Sequence, residues 1–317
     1  MVAVRKAGFA AAVPLTLAAY GPDGPLLEYA AGVWPAGHQV TPGELFYGAS
    51  LTKQVTGVAI ALLVQAGRLD PDAAIGSVLS ELHDWPGAVT PRQLLHHVAG
   101  FPPAGAVETG LIGPLWNNAA VMEALPRFKE QATAPKSAFA YSNAGYVCLG
   151  RLIERLQGVP FDVFVRDRIL APLALTAMRI HSDAERPTYP QTTMMGPTLP
   201  LSTGDGGLWT TASAFALWLD AQNRDSFRVA SLVEQNGYLS DATPLDYGWG
   251  IGLRSFRGVP CFSHGGGWAG ARAKATRCPA LGLSVVALAA DDSDARISAL
   301  VDAVMQRLAD GLTASDG

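Results

Sequence analysis

Hydrophobic positions change their spacing along the chain, and the changes predict the elements. An apolar run from Val13 to Tyr20, a polar turn at Gly21–Gly24 and a second run from Leu26 to Trp34 predict a β-hairpin. Between Ser50 and Gly67, Val55, Val58, Ala59, Leu62 and Leu63 recur at helical spacing. That segment is apolar on most faces, so it predicts a buried helix. Thr90-Pro91-Arg92-Gln93 reads as a capped helix start, with Thr90 as N-cap, Pro91 at the first helical position and Gln93 completing a capping box. That helix is expected to end by Gly100, before Phe101-Pro102-Pro103. Further helices are expected near Leu115–Leu125, from Ala144 to Leu156 with Gly158 as the stop, from Phe161 to Leu173 and from Thr211 to Gln222. A long loop is expected over 181–207.

After about residue 244 the period shortens. Tyr247 to Leu253 alternates large residues with glycine, which predicts a strand, and further strands are expected over Ala271–Arg277 and Leu283–Ala289. Ile297, Leu300, Val301, Val304, Met305 and Leu308 then form one helical stripe suited to lie on a sheet. Strands at both ends and helices between them predict an α+β fold, with an antiparallel sheet flanked by helices. The expected division is a sheet domain from residues 1–60 and 205–317, with a mostly helical insertion over 61–204.

Composition narrows the function classes. Of 317 residues, 49% are hydrophobic and 16% charged, which excludes a disordered chain. A formal net charge of -4 gives no field for attracting polyphosphate, so nucleic acid is not an expected partner. No run of 18 apolar residues predicts a membrane span. Arg5 and Lys6 ahead of Ala7–Ala19 loosely resemble an export signal. Pro14 interrupts that run, and the strand reading with a cytoplasmic location is the expectation. Cys148, Cys261 and Cys278 are odd in number and lack metal spacing, so reduced thiols and no metal site are expected. Cys261 and Cys278 flank a hairpin that can bring them together, but a disulfide there is not the expectation.

Three short motifs carry candidate chemistry. Ser50-Leu51-Thr52-Lys53 places a hydroxyl and an amine three residues apart, on one helix face. A neighbouring cation and the helix dipole both favour negative charge at such a serine. Tyr141-Ser142-Asn143 offers a phenol that a nearby lysine can acidify and an amide that can bridge lysine and substrate. Ser263-His264-Gly265-Gly266-Gly267 offers a strand edge whose bare backbone N–H groups can face an oxyanion. The same stretch spells a dinucleotide-type glycine pattern, but a strand rather than a helix is expected to follow it, so no cofactor is expected. Each motif alone occurs readily as a helix cap or a turn.

In this order the three motifs resemble the class C β-lactamase-like serine hydrolases, which share the penicillin-binding-protein fold. The GASLTKQVTG block around Ser50, the segment from Leu94 to Pro102 and Gly206-Gly207-Leu208-Trp209-Thr210-Thr211 are similar to that family too. The resemblance runs from about residue 26 to 310. It implies Ser50 as the acylated nucleophile, Lys53 and Tyr141 as shared general base and acid, and Asn143 as their orienting amide. It also implies an oxyanion hole from the N–H groups of Ser50 and Gly267, with His264, Gly265 and Gly266 in the third motif.

Two departures matter. His264 and Gly265 stand where β-lactamases carry lysine and threonine, which help to bind a substrate carboxylate. The helix that usually precedes the first strand is absent or very short. The resulting expectation is an esterase or acyltransferase. It takes a small-molecule acyl donor, with water, an alcohol or an amine as acceptor. A β-lactamase or D-amino-acid-specific peptidase is the alternative, and a catalytically silent binding protein is the second. His96 and His97 are expected to be structural. Trp209 and Trp268 are expected either to line the acyl pocket or simply to pack.

Overall fold

The computed structural model describes residues 2–103, 105–109, 116–181, 186–196 and 199–315. Its main sheet has six antiparallel strands in the order β2-β1-β9-β8-β7-β6. These are β1 (Leu15–Gly21), β2 (Gly24–Ala31), β6 (Gly252–Phe256), β7 (Val259–Trp268), β8 (Ala271–Cys278) and β9 (Leu283–Ala289). A smaller sheet has the order β3-β5-β4, from β3 (Phe46–Ala49), β4 (Met178–Ile180) and β5 (Leu208–Thr210). The helices are α1 (Val2–Lys6), α2 (Thr52–Gln65), α3 (Pro91–Leu95), α4 (Ala106–Thr109), α5 (Asn118–Ala124), α6 (Asn143–Gln157), α7 (Phe161–Val165), α8 (Thr192–Met195), α9 (Ala212–Asn223), α10 (Ala230–Val233) and α11 (Asp294–Ser315). The architecture is the expected α+β arrangement of antiparallel sheets flanked by helices.

Strand alternation divides the core between the two faces of the main sheet. Leu15, Leu17 and Ala19 of β1, with Leu283, Val285 and Ala287 of β9, pack under the apolar stripe of α11. Ala18, Val286 and Leu288 face the other way, into the larger core that holds α2, α6 and α9. Helix α1 precedes the first strand, and its Val4, with Phe9 beyond it, joins the α11 side.

Two local expectations are corrected below. The capping box at Thr90 forms as read, and α3 ends at Leu95, ahead of Gly100. His97 takes a left-handed φ of 58°, and the backbone then turns to hold another segment. Ala140 N–H donates to His97 O, Lys136 N–H to Val98 O and Thr133 N–H to Gly100 O, which fixes the approach to Tyr141. The predicted strand at Tyr247–Leu253 begins only at Gly252. Ahead of it Gly250 has φ 82°, and a Cβ there would fall 2.0 Å from Lys53 O, so the chain turns against α2 instead of extending.

The second correction concerns cysteine. Cys261 and Cys278 form a disulfide rather than two thiols, with Cα atoms 4.3 Å apart. The β7–β8 register pairs Phe262 with Arg277, which sets the two cysteines directly opposite one another. Sequence spacing alone does not reveal that register. The third cysteine, Cys148, is a buried free thiol in α6. Among the described residues, no helix is long and apolar enough to cross a membrane.

Candidate active site

Ser50 stands at the bend between β3 and α2, one residue before the helix cap Leu51. Ala49, just ahead of it, has φ 46°, a conformation L-residues other than Asn and Asp adopt at a cost. Thr52 holds the bend on two sides. Its hydroxyl donates to Ala49 O at 2.6 Å and accepts from Leu208 N–H of β5 at 3.1 Å.

One helical turn along, Lys53 is fully buried. Its Nζ donates to Ser50 Oγ at 3.2 Å, to Asn143 Oδ1 at 2.9 Å and to the backbone oxygen of Asp205 at 2.9 Å. An ammonium has three protons, and here three oxygens receive them. The Tyr141 ring centroid lies 5.0 Å from the same Nζ. Ser142 caps α6 by accepting from Gly145 N–H, which fixes Tyr141 and Asn143 at the head of that helix. Ser50, Lys53, Tyr141 and Asn143 thus meet around the Lys53 amine.

The third motif lies within β7, not in a turn after it. Cys261 and Cys278 are close enough to be a non-hydrogen-bonded pair, and such pairs alternate along an antiparallel ladder. Gly265 and Gly267 share that class, so their N–H and C=O groups point away from β8. Strand β6 covers that edge only from Val259 to Ser263. The edge is therefore open at Gly265 and Gly267. Gly266 allows β7 to rest on the Ser50 bend, since a Cβ there would lie 2.3 Å from Gly48 O.

His264 extends from this strand toward Tyr141, with ring centroids 6.2 Å apart. Its Nδ1 pairs with Gly265 O, and its Nε2 lies 2.9 Å from the Tyr247 hydroxyl. The consistent assignment is a neutral ring that donates from Nδ1 and accepts from Tyr247. Burial, aided by the Lys53 charge, lowers its pKa to about 3.

His96 and His97 are structural, as expected. His96 bonds Tyr247 O through Nδ1 and accepts from Trp249 Nε1, and burial lowers its pKa to about 4. His97 Nδ1 accepts from Ser142 N–H, and its ring lies 4.4 Å from that of Tyr141, bracing the tyrosine. Burial holds His97 well below the usual histidine range. Trp209 is corrected from pocket lining to packing. It is buried between Tyr47 and Tyr189 rather than at the opening. Trp268 is half-buried and meets Trp116 edge-on at 5.7 Å, at the end of β7 next to Gly267.

Two further residues were missed by the sequence reading. Asp205 supplies the carbonyl that holds Lys53, and burial raises its carboxyl pKa against the pull of the Lys53 charge. Tyr247 joins His264 to the segment that carries His96. Neither has a local motif, although Asp205 borders the Gly206-Gly207 block.

The family model described as Beta-lactamase matches residues 10–307. The chain belongs to the beta-lactamase family. Within it, the chain is 29% identical over 283 residues to penicillin-binding protein 4 of Amycolatopsis lactamdurans, spanning 77% of this chain and 72% of that protein. The penicillin-binding protein homologue of Pyrococcus abyssi superposes with a TM-score of 0.80 at 20% identity, covering 97% of this chain and 75% of that one. The D-amino acid amidase of Ochrobactrum anthropi SV3, solved with L-phenylalanine, has a TM-score of 0.75 at 20% identity, covering 100% of this chain and 99% of that one. The beta-lactamase family fold therefore accounts for the whole described architecture.

Proposed function

We propose that this protein is a serine hydrolase that acts through an acyl-Ser50 intermediate on neutral esters or activated amides, with water, an alcohol or an amine as final acceptor. The observation that carries the reading is the position of Lys53 Nζ, bonded at once to Ser50 Oγ and Asn143 Oδ1. With its three protons directed at oxygens, Lys53 acts as a fixed cation in the resting state. Tyr141, beside that cation, enters the step as the phenolate, its own proton having gone to solvent, and receives the Ser50 proton as Oγ attacks the substrate carbonyl carbon. The oxyanion forms against the N–H groups of Ser50 and Gly267. Tyr141 returns the proton to the leaving group as its bond to carbon breaks, which leaves the acyl group on Ser50. The acceptor then repeats the sequence in reverse and frees the serine.

Neutral donors are favoured because His264 brings no charge to the third motif. A substrate carboxylate finds no permanent cation there. A second reading, an amidase or peptidase for D-amino acyl groups, is supported by the end-to-end likeness to the D-amino acid amidase. A fluorophosphonate probe tests the nucleophile. Wild type should gain one adduct located on Ser50, and folded Ser50→Ala should gain none. An unlabelled wild type would leave a silent binding protein. A panel of p-nitrophenyl esters and D-amino acid amides then separates the two enzymatic readings.

A further inference from the structure

Behind the helix that carries Lys53, four buried polar side chains from three elements turn toward one small space. Gln54 follows Lys53 on α2, Trp218 and Gln222 lie one turn apart on α9, and Arg277 comes from β8. None is more than 8% exposed. With apolar neighbours they line a cavity in which the centre of a water-sized sphere has ≈ 10 Å³ to move, room for about one small species.

The polar atoms here have no partner within the protein. They are both amide atoms of Gln54, the indole nitrogen of Trp218, the amide nitrogen of Gln222, and Nε and Nη1 of Arg277. The guanidinium is held by its remaining nitrogen, since Nη2 pairs with Glu234 Oε1 at 2.7 Å. Its centre also lies 4.3 Å from the Phe262 ring. Five nitrogens therefore stand against the two amide oxygens of Gln54 and Gln222, and the indole and guanidinium nitrogens can only donate. A water molecule can accept from only two of these donors and would leave the others unpaired. A monoatomic anion asks only for donors. Amide, indole and guanidinium N–H groups from three elements, with the guanidinium charge shared with Glu234 on its far nitrogen, are the donors it needs.

We propose that this cavity is a binding site for a monoatomic anion of the size of chloride, held by Gln54, Trp218, Gln222 and Arg277. The bound ion ties α2 and α9 to β8 behind the Ser50–Lys53 turn. The inference is independent of the acyl-transfer reading, and its first readout is stability.

The test uses the full chain in halide-free buffer. Thermal unfolding is followed while sodium chloride, bromide or gluconate is varied at fixed ionic strength. Chloride and bromide should raise Tm along a saturable curve, and gluconate should not. Crystals grown in bromide should show an anomalous peak between the Trp218 and Arg277 nitrogens. Trp218→Phe, which removes one donor and keeps an aromatic ring, should shift the chloride midpoint about tenfold higher. Gln222→Glu places a fixed carboxylate in the cavity. It should abolish the halide dependence and melt no lower than wild type in gluconate. Equal melting in chloride and gluconate, with no bromide peak, would overturn the proposal and leave an ordinary buried water. If Trp218→Phe fails to fold, the salt series and the bromide peak still decide the matter.

Discussion

Tyr247 donates its hydroxyl proton to Nε2 of His264 across 2.9 Å, and so occupies the one nitrogen through which that ring would otherwise accept. The pair keeps the third motif uncharged. Burial works in the same direction on His264, His96 and His97.

The consequence for pH has a definite sign. A histidine held neutral in the fold has a folded pKa below its unfolded value near 6.5, so the unfolded chain binds more protons in between. Stability is fully present above about pH 6.5 and is lost as pH falls toward 4 and then 3. Each histidine contributes a slope of up to about 1.4 kcal/mol per pH unit, and three together reach about 4. Denaturant unfolding between pH 4 and 8 should show this decline. Proton NMR should find no titration of His264 between pH 5 and 8; a midpoint near 6.5 would contradict the buried neutral ring.

Lys53 and Tyr141 are expected to behave as one unit, because a single proton passes between Ser50 and the phenol beside the lysine cation. Lys53→Met and Tyr141→Phe should each lower kcat by about a thousandfold or more, and the double variant little further. Losses that multiply would separate the two residues into different steps.

Substrate class follows from the uncharged third motif. On one preparation, kcat/KM for p-nitrophenyl butyrate should exceed that for nitrocefin by at least about a hundredfold, equivalent to about 2.7 kcal/mol of differential transition-state binding. If nitrocefin is the better substrate, the β-lactamase alternative replaces the esterase reading.

Gly266→Ala tests the close approach of β7 to the Ser50 bend. A methyl group would meet the backbone oxygen of Gly48 and push the strand edge away from Ser50. A displacement of about 1 Å is enough to lower kcat/KM by about a hundredfold. Circular dichroism should remain that of the wild type, since the change falls at one contact. Unchanged turnover would mean that Gly267 N–H takes no part in oxyanion binding.

The disulfide is expected to be structural. Cys261 and Cys278 are 17 residues apart in the chain, so reduction should cost about 2–3 kcal/mol in denaturant unfolding. Labelling of Ser50 in the still-folded reduced protein should be unaffected, because the cystine lies on the α11 face of the sheet. Thiol titration under denaturing, non-reducing conditions should count one free thiol, Cys148.

The parts of this protein legible in its sequence were those with a local period or cap. The stripe of α11, the Thr90 capping box and the Gly158 stop each depend on residues a few positions apart. Ser50 and Lys53 share a helix face for the same reason. Their meeting with Asn143 and His264 required the family resemblance, because no local period reaches across such distances. Asp205 and Tyr247 stayed hidden because one acts through a backbone carbonyl and the other through a hydroxyl in a turn. The disulfide stayed hidden because it depends on strand register. At Tyr247–Leu253 alternation misled, since the glycines serve close backbone approach instead of strand pleating.

The sheet order has a consequence for how the chain comes together. Strand β1 pairs on one side with its neighbour β2 and on the other with β9, with Leu15 set against Ala289. Nearly the whole chain lies between those two partners, and β9 is made late in synthesis. Until β9 emerges from the ribosome, the β1–β2 hairpin and the β6–β8 strands have no common neighbour. Each offers a raw edge to other chains. Closure of so long a loop makes the last step of folding slow and prone to aggregation. A chain cut just before β9 would not be a slightly shortened version of this fold: it would hold two unconnected half-sheets, with the Ser50 bend stranded between them.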